Sequence, residues 1–128
     1  MLIRIDAESP RPLFEQVAAS VRADVLGGRL APGDRLPAAR EVAAALDMNL
    51  HTVLHAYQRL RDEGLVDLRR GRGAVVAASA APLAELSNDI AGLIARAAAL
   101  GVSTDTLAAL VKETVPAGER ELMKEAVT

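Results

Sequence analysis

Cysteine is absent from the 128 residues, which excludes a disulfide, a thiol nucleophile and a thiolate metal site, and suits a reducing compartment. Tryptophan is absent too, leaving Phe14 and Tyr57 as the only aromatic residues. No run of about 18 consecutive apolar residues occurs, and the N-terminus lacks a basic region followed by an apolar stretch, so neither a membrane span nor an export signal is expected. The expected location is cytoplasmic. There is also no Gly-rich phosphate loop, no Ser-His-Asp set with supporting context and no acidic cluster at ligand spacing. Neither an enzyme nor a bound cofactor is expected.

What is present is apolar and rich in alanine. Hydrophobic residues make up 51% of the chain, a composition that favours helices packed closely on small side chains. The length suits one core with an appendage rather than two independent cores. The net charge of −2 hides an asymmetry: residues 29 to 73 hold eight arginines against six acids, whereas residues 83 to 128 hold four basic residues against seven acids. A mildly basic middle is compatible with DNA, although solvated helix faces produce differences of this size as well.

Helical periodicity begins after "SPRP". Pro12 suits a first turn, and Phe14, Val17, Val21 and Val25 recur at three- and four-residue steps until Gly27 and Gly28. "LAPGDRLP" then reads as a tight connector, and "AAREVAAAL" as a short second helix with Val42, Ala43 and Leu46 inward. After the break "DMN", a third helix, "LHTVLHAYQRLRDE", buries Val53, Ala56, Tyr57 and Leu60, with Asn49 as its N-cap and Gly64 ending it. This is the spacing of a helix-turn-helix, whose second helix enters the major groove with its N-terminal residues against base edges. The polar cluster Asn49, His51, Thr52 and His55 at the leading end of the third helix fits that geometry. In "LVDLRRGRGAVVA" two β-prone runs flank a Gly-rich turn, so Arg69, Arg70 and Arg72 are expected at the tip of a wing, within reach of phosphates or the minor groove.

"SAAP" reads as a linker, dividing the chain into a winged helix-turn-helix domain over 1–78 and a helical tail over 79–128. Leu83, Leu86, Ile90, Leu93, Ile94, Ala97 and Leu100 trace one apolar stripe ended by Gly101. A further helix capped by Ser103 carries Leu107, Leu110 and Val111. A two-helix hairpin with apolar sides has little core of its own, so the stripe is expected to pair with that of a second copy; the plainer reading is that it covers the winged core. The remaining residues hold Leu122, Met123 and Ala126 at spacing for another helical turn or two, or fray. The fold expected is mainly α with a small β-wing, followed by a helical dimerisation hairpin.

From "PLFEQVAASVRADVLGGRLAPGDRLP" through "AAREVAAALDMNLHTVLHAYQRLRDEGLVDLRRGRGAVV" the chain resembles the winged helix-turn-helix domain of the GntR family of bacterial transcription regulators. The short helical tail looks like that of the YtrA subfamily, which lacks large effector domains and dimerises through such a tail. The resemblance implies that Arg40, in the "LP…RE" motif, approaches the DNA backbone, that Thr52 is the recognition-helix threonine and that Gly71 and Gly73 shape the wing. Leu50 and Leu54 stand where many relatives carry DNA-contacting arginines, so base preference does not transfer, and Asp47 holds a turn position usually given to glycine.

The candidate DNA-binding residues are therefore Arg40, Asn49, Leu50, His51, Thr52, His55, Arg69, Arg70, Gly71 and Arg72. Against this stand plainer readings. His51 and His55, four apart, could hold a metal or simply be solvated, but no third ligand is apparent and no metal site is expected. The wing arginines could be a solvated turn. Two functions from different classes remain: a homodimeric repressor at an inverted-repeat operator, and a winged helix that docks a protein. The partners expected are double-stranded DNA, a second copy and an unidentified small-molecule effector.

Overall fold

Proline at position 12 has no N–H to donate and a fixed φ, and it caps the first helix from outside rather than entering it: in this computed structural model, which describes residues 2–114, α1 runs Leu13–Leu26. Val17, Val21 and Val25 turn fully inward, while Phe14, one turn earlier, is half-buried. The Gly27 N–H donates to the Ala23 carbonyl (2.9 Å), and Gly28, at φ 76°, turns the chain away. The segment before α1 is tied down by one buried side chain. Gln16 accepts from the Asp6 N–H through Oε1 (2.7 Å) and donates through Nε2 to the Arg11 carbonyl (3.0 Å), and Ile3 enters the core.

Helix α2 (Ala39–Ala45) buries Val42 and Ala43, with Leu46 half-buried behind them. At Asp47 the backbone adopts φ 50°, the left-handed turn that the sequence places on an aspartate. Asn49 caps α3 (Leu50–Asp62): its Oδ1 accepts from the His51 N–H at 2.8 Å. Val53, Ala56, Tyr57 and Leu60 are buried as their spacing requires. The helix ends at Glu63, after which Gly64, at φ 81°, lets the chain leave.

Strands β1 (Val66–Arg69) and β2 (Gly73–Val76) pair antiparallel, Val66 facing Val76 and Arg69 facing Gly73. The connector between α1 and α2 joins them. The Gly33 N–H donates to the Val76 carbonyl (2.9 Å), the Val76 N–H to the Asp34 carbonyl (2.8 Å) and the Leu36 N–H to the Ala74 carbonyl (2.9 Å). What the sequence presents as a tight turn is thus also a short third rung along the free edge of β2.

The "SAAP" segment is packed rather than slack. Residues Ala78–Ala80 form a 3-10 turn, Ala80 is buried, and Ser79 Oγ donates to the Gly64 carbonyl at 2.7 Å. Leu83, at the start of α4 (Leu83–Ala99), also packs on the winged core, and the chain divides into two compact units between Ser87 and Asn88, later than the linker reading places the boundary. Alanine burial carries no period, which is why the sequence reads there as a linker.

In the first unit the core centres on Val17, Val21, Val53, Leu60, Val66 and Val76, each essentially without solvent contact and each stabilising by about 1.5–3 kcal/mol. Arg22 adds a two-pronged ion pair from α1 to Glu63 at the end of α3, both bonds 2.8 Å; being half-exposed, it contributes under about 1 kcal/mol. In the second unit α4 continues into a turn at Gly101, and α5 (Thr104–Glu113) starts from Ser103, whose Oγ accepts from the Thr106 N–H at 3.2 Å. Ala97 is buried and its carbonyl accepts from the Val102 N–H, whereas Leu107 is half-buried and Leu110 and Val111 are exposed. The expected turns around Leu122, Met123 and Ala126 lie outside the described residues.

Candidate nucleic-acid interface

With its inner face spoken for, α3 turns a second face outward. His51, Leu54, His55 and Gln58 are exposed along it, and Thr52 is half-buried at its side. Asn49 already uses one lone pair of its carbonyl oxygen on the cap, which leaves its amide N–H groups to donate to a ligand. Leu50, expected at the DNA surface, is half-buried and packs against the core. His55 stacks on Phe14, ring centroids 4.0 Å apart and planes 16° off parallel, and Arg59 lies over the same ring at 5.8 Å. The outward face therefore splits: His51 and His55 share a concavity with Leu13 and Phe14 of α1, whereas Leu54 and Gln58 lie on the side of the wing. The spacing of four puts both histidines on one face, as expected, yet one is engaged by an aromatic ring. Among the described residues no group of three His, Cys, Asp or Glu could hold a metal ion.

The wing supplies cations. Its tip is Arg70, Gly71 and Arg72, with Gly71 at φ 81° and Gly73 at φ 71°, and the Arg72 N–H closes the turn on the Arg69 carbonyl at 3.1 Å. The three arginines are not equivalent. Arg69 is paired with Asp67 at 3.5 Å, whereas no described residue forms an ion pair with the side chains of Arg70, Arg72 or Arg40. Arg40 stands exposed in the first turn of α2.

Between α3 and the wing lies a groove of about 490 Å³. Leu54, Tyr57 and Gln58 line it from the helix, Leu68 from β1, and Arg35, Arg69, Arg70 and Arg72 bring four guanidinium groups to it. Arg35 also holds the wing, donating from Nε to the Arg72 carbonyl at 3.1 Å. Arg35, Leu54, Gln58 and Leu68 are missing from the sequence-derived site. For Arg35 a signal exists, a cation between "PGD" and "LP"; for Leu68 there is none, because alternation puts it on the face of the buried Val66 and yet it is exposed.

Tyr57 fixes the floor of the groove. Its hydroxyl donates to the Pro37 carbonyl at 2.7 Å, and burial, with the Glu41 carboxylate nearby, pushes that hydroxyl up to about 12. The phenol stays neutral and keeps donating, which pins the entry of α2 and with it Arg40.

A short helix, a tight turn, a second helix with a polar leading end and an arginine-tipped hairpin beside it define a winged helix-turn-helix. The model of the bacterial regulatory proteins of the gntR family matches residues 13–76, half of the chain, and the chain belongs to that family. It is 38% identical over 79 residues to the transcriptional repressor YtrA of Bacillus subtilis, covering 62% of this chain and 61% of that protein. The chain thus spans under two thirds of that relative's length. The solved structure of YtrA from Sulfolobus acidocaldarius, a GntR-family transcription factor, is 36% identical with a TM-score of 0.57, covering 77% of this chain and 99% of that one. A GntR-family transcriptional regulator from Listeria monocytogenes is 26% identical with a TM-score of 0.58, covering 87% and 100%. Among the described residues no single helix is long and apolar enough to cross a membrane.

Proposed function

We propose that the protein is a sequence-specific, double-stranded-DNA-binding transcription regulator of the cytoplasm, acting as a homodimeric repressor at an inverted-repeat operator. The observation that carries this reading is the convergence of the outward face of α3 and the arginine-bearing wing on one groove, with Arg70, Arg72 and Arg40 forming no ion pair among the described residues. In the bound state the leading end of α3, with Asn49, His51 and Thr52, meets base edges, while Arg40 and the wing arginines neutralise phosphates. The dimer rests on the exposed stripe of Leu86, Ile90, Leu93 and Ile94 in α4, together with Leu110 and Val111 of α5. An apolar face of that extent on a soluble chain needs a cover, and a second copy supplies a matching one by two-fold symmetry. Leu83, committed to the winged core, contributes to that core rather than to the stripe.

The test is enrichment of bound duplexes from a random pool by the full-length chain, followed by a salt titration on the recovered duplex. Enrichment of an inverted repeat with half-sites about one helical turn apart is the expected result. Affinity should fall about a thousandfold between about 50 and 200 mM salt if six phosphates are contacted. A flat salt dependence with no enriched sequence would overturn the reading in favour of a protein partner.

A further inference from the structure

The groove beside α3 has cations on its rim and something different on its floor. Leu54, at 37% exposure, and Leu68, at 41%, bring two large, part-exposed apolar side chains into a groove that Arg35, Arg69, Arg70 and Arg72 also line. Core packing does not account for Leu54. Its helix already buries Val53, Ala56, Tyr57 and Leu60, and Leu54 lies at the edge of that face, turned towards the wing. Leu50, one turn earlier, differs: it is half-buried and packs against the core.

On a DNA duplex the arginines have phosphates and the polar groups of α3 have base-edge donors and acceptors. An exposed leucine has neither. The major-groove edge of the base pairs offers one apolar group, the C5-methyl of thymine, and apolar contact with it is a means of telling thymine from the other bases. Building on the reading of the protein as a DNA-binding regulator, we propose that Leu54 is a specificity-determining residue that selects a pyrimidine C5-methyl group in each half-site. Leu68 shields the same methyl from the wing side. The methyl is the recognised chemistry, so 5-methylcytosine would satisfy the same contact.

The experiment uses the full-length chain and the duplex recovered by selection, with each thymine of one half-site replaced singly by deoxyuridine, which removes the methyl and leaves base pairing intact. One position should lose about three- to fivefold in affinity, the equivalent of one buried methyl group. Leu54→Ala should abolish the penalty at that position and leave the salt slope unchanged, while Leu54→Met, which keeps an apolar contact, should retain it. Placing cytosine and then 5-methylcytosine at the same position separates the methyl from the base: a gain on methylation in the wild type, absent in Leu54→Ala, supports the contact. If no thymine carries a deoxyuridine penalty, or if the penalty is the same in Leu54→Ala, the assignment to Leu54 is refuted while DNA binding stands. If selection enriches no duplex, the regulator reading itself fails and takes this proposal with it.

Discussion

Replacing Tyr57 with phenylalanine removes one oxygen atom and two separable contributions to stability. The first is present at neutral pH. Tyr57 is 3% exposed and its hydroxyl donates to the Pro37 carbonyl at 2.7 Å, so the variant loses a hydrogen bond and leaves an acceptor without its donor. The loss should be about 1–2 kcal/mol, or a fall of roughly 5–15 °C in Tm for a unit of this size. The second is lost only in alkali. Because burial raises the folded hydroxyl to about 12, the unfolded chain ionises first; this stability is complete below about pH 10 and is lost as the pH rises towards 12, by up to about 1.4 kcal/mol per pH unit. Phenylalanine does not titrate, so the variant starts lower but escapes that slope, and the two stability curves should close on each other above about pH 10. One tyrosine and no tryptophan make the phenolate absorbance of the folded protein a report on Tyr57 alone. Urea unfolding followed by circular dichroism at neutral and alkaline pH supplies the stabilities. A phenolate midpoint at the ordinary value of about 10, or parallel losses in the two proteins across the alkaline range, would refute the reasoning.

At Asp47, where φ is 50°, Asp47→Val should cost about 1–2 kcal/mol and Asp47→Gly should stay within about 0.5 kcal/mol of wild type, as read from urea midpoints; equal effects would mean the turn is not strained. Arg40→Ala and Arg70→Ala should each weaken binding to all duplexes and lower the salt slope by about one unit, and Arg69→Ala, whose side chain is already paired with Asp67, should do less. Altered base preference at constant slope would contradict those roles. If the proposed dimer forms through the stripe of α4, Ile90→Glu with Leu93→Glu should sediment as a monomer where the wild type sediments as a dimer, without unfolding the winged unit; an unchanged sedimentation coefficient would exclude this face as the interface.

Much of the fold was legible because its helices bury one face at regular spacing. Val17, Val21 and Val25 in α1, and Val53, Ala56, Tyr57 and Leu60 in α3, announce themselves through period, and Asn49 and Gly64 through capping chemistry. The third rung at Gly33 to Leu36 was illegible. Its bonds are all main-chain, and its partners lie some forty residues on, beyond what a local turn signal such as "APGD" reveals. In the candidate site, residue types were easier to read than directions. Leu50 and Leu54 look alike in the sequence, yet one packs on the core and the other lines the groove. The stacking of His55 on Phe14 depends on how α1 crosses α3, a tertiary fact with no local signature.

That third rung also bears on how such a regulator changes over generations. The clasp between the connector and β2 is made of backbone groups of Gly33, Asp34, Leu36, Ala74 and Val76, and none of its bonds uses a side chain of Arg70 or Arg72. Mutations at the tip can therefore rewrite what the wing touches while leaving intact the hydrogen bonds that hold it in place. Duplicated copies of the gene could drift towards new operators through those positions at little cost in folding, so that lineages should differ most at the tip and least in the pattern of residues that shapes the clasp.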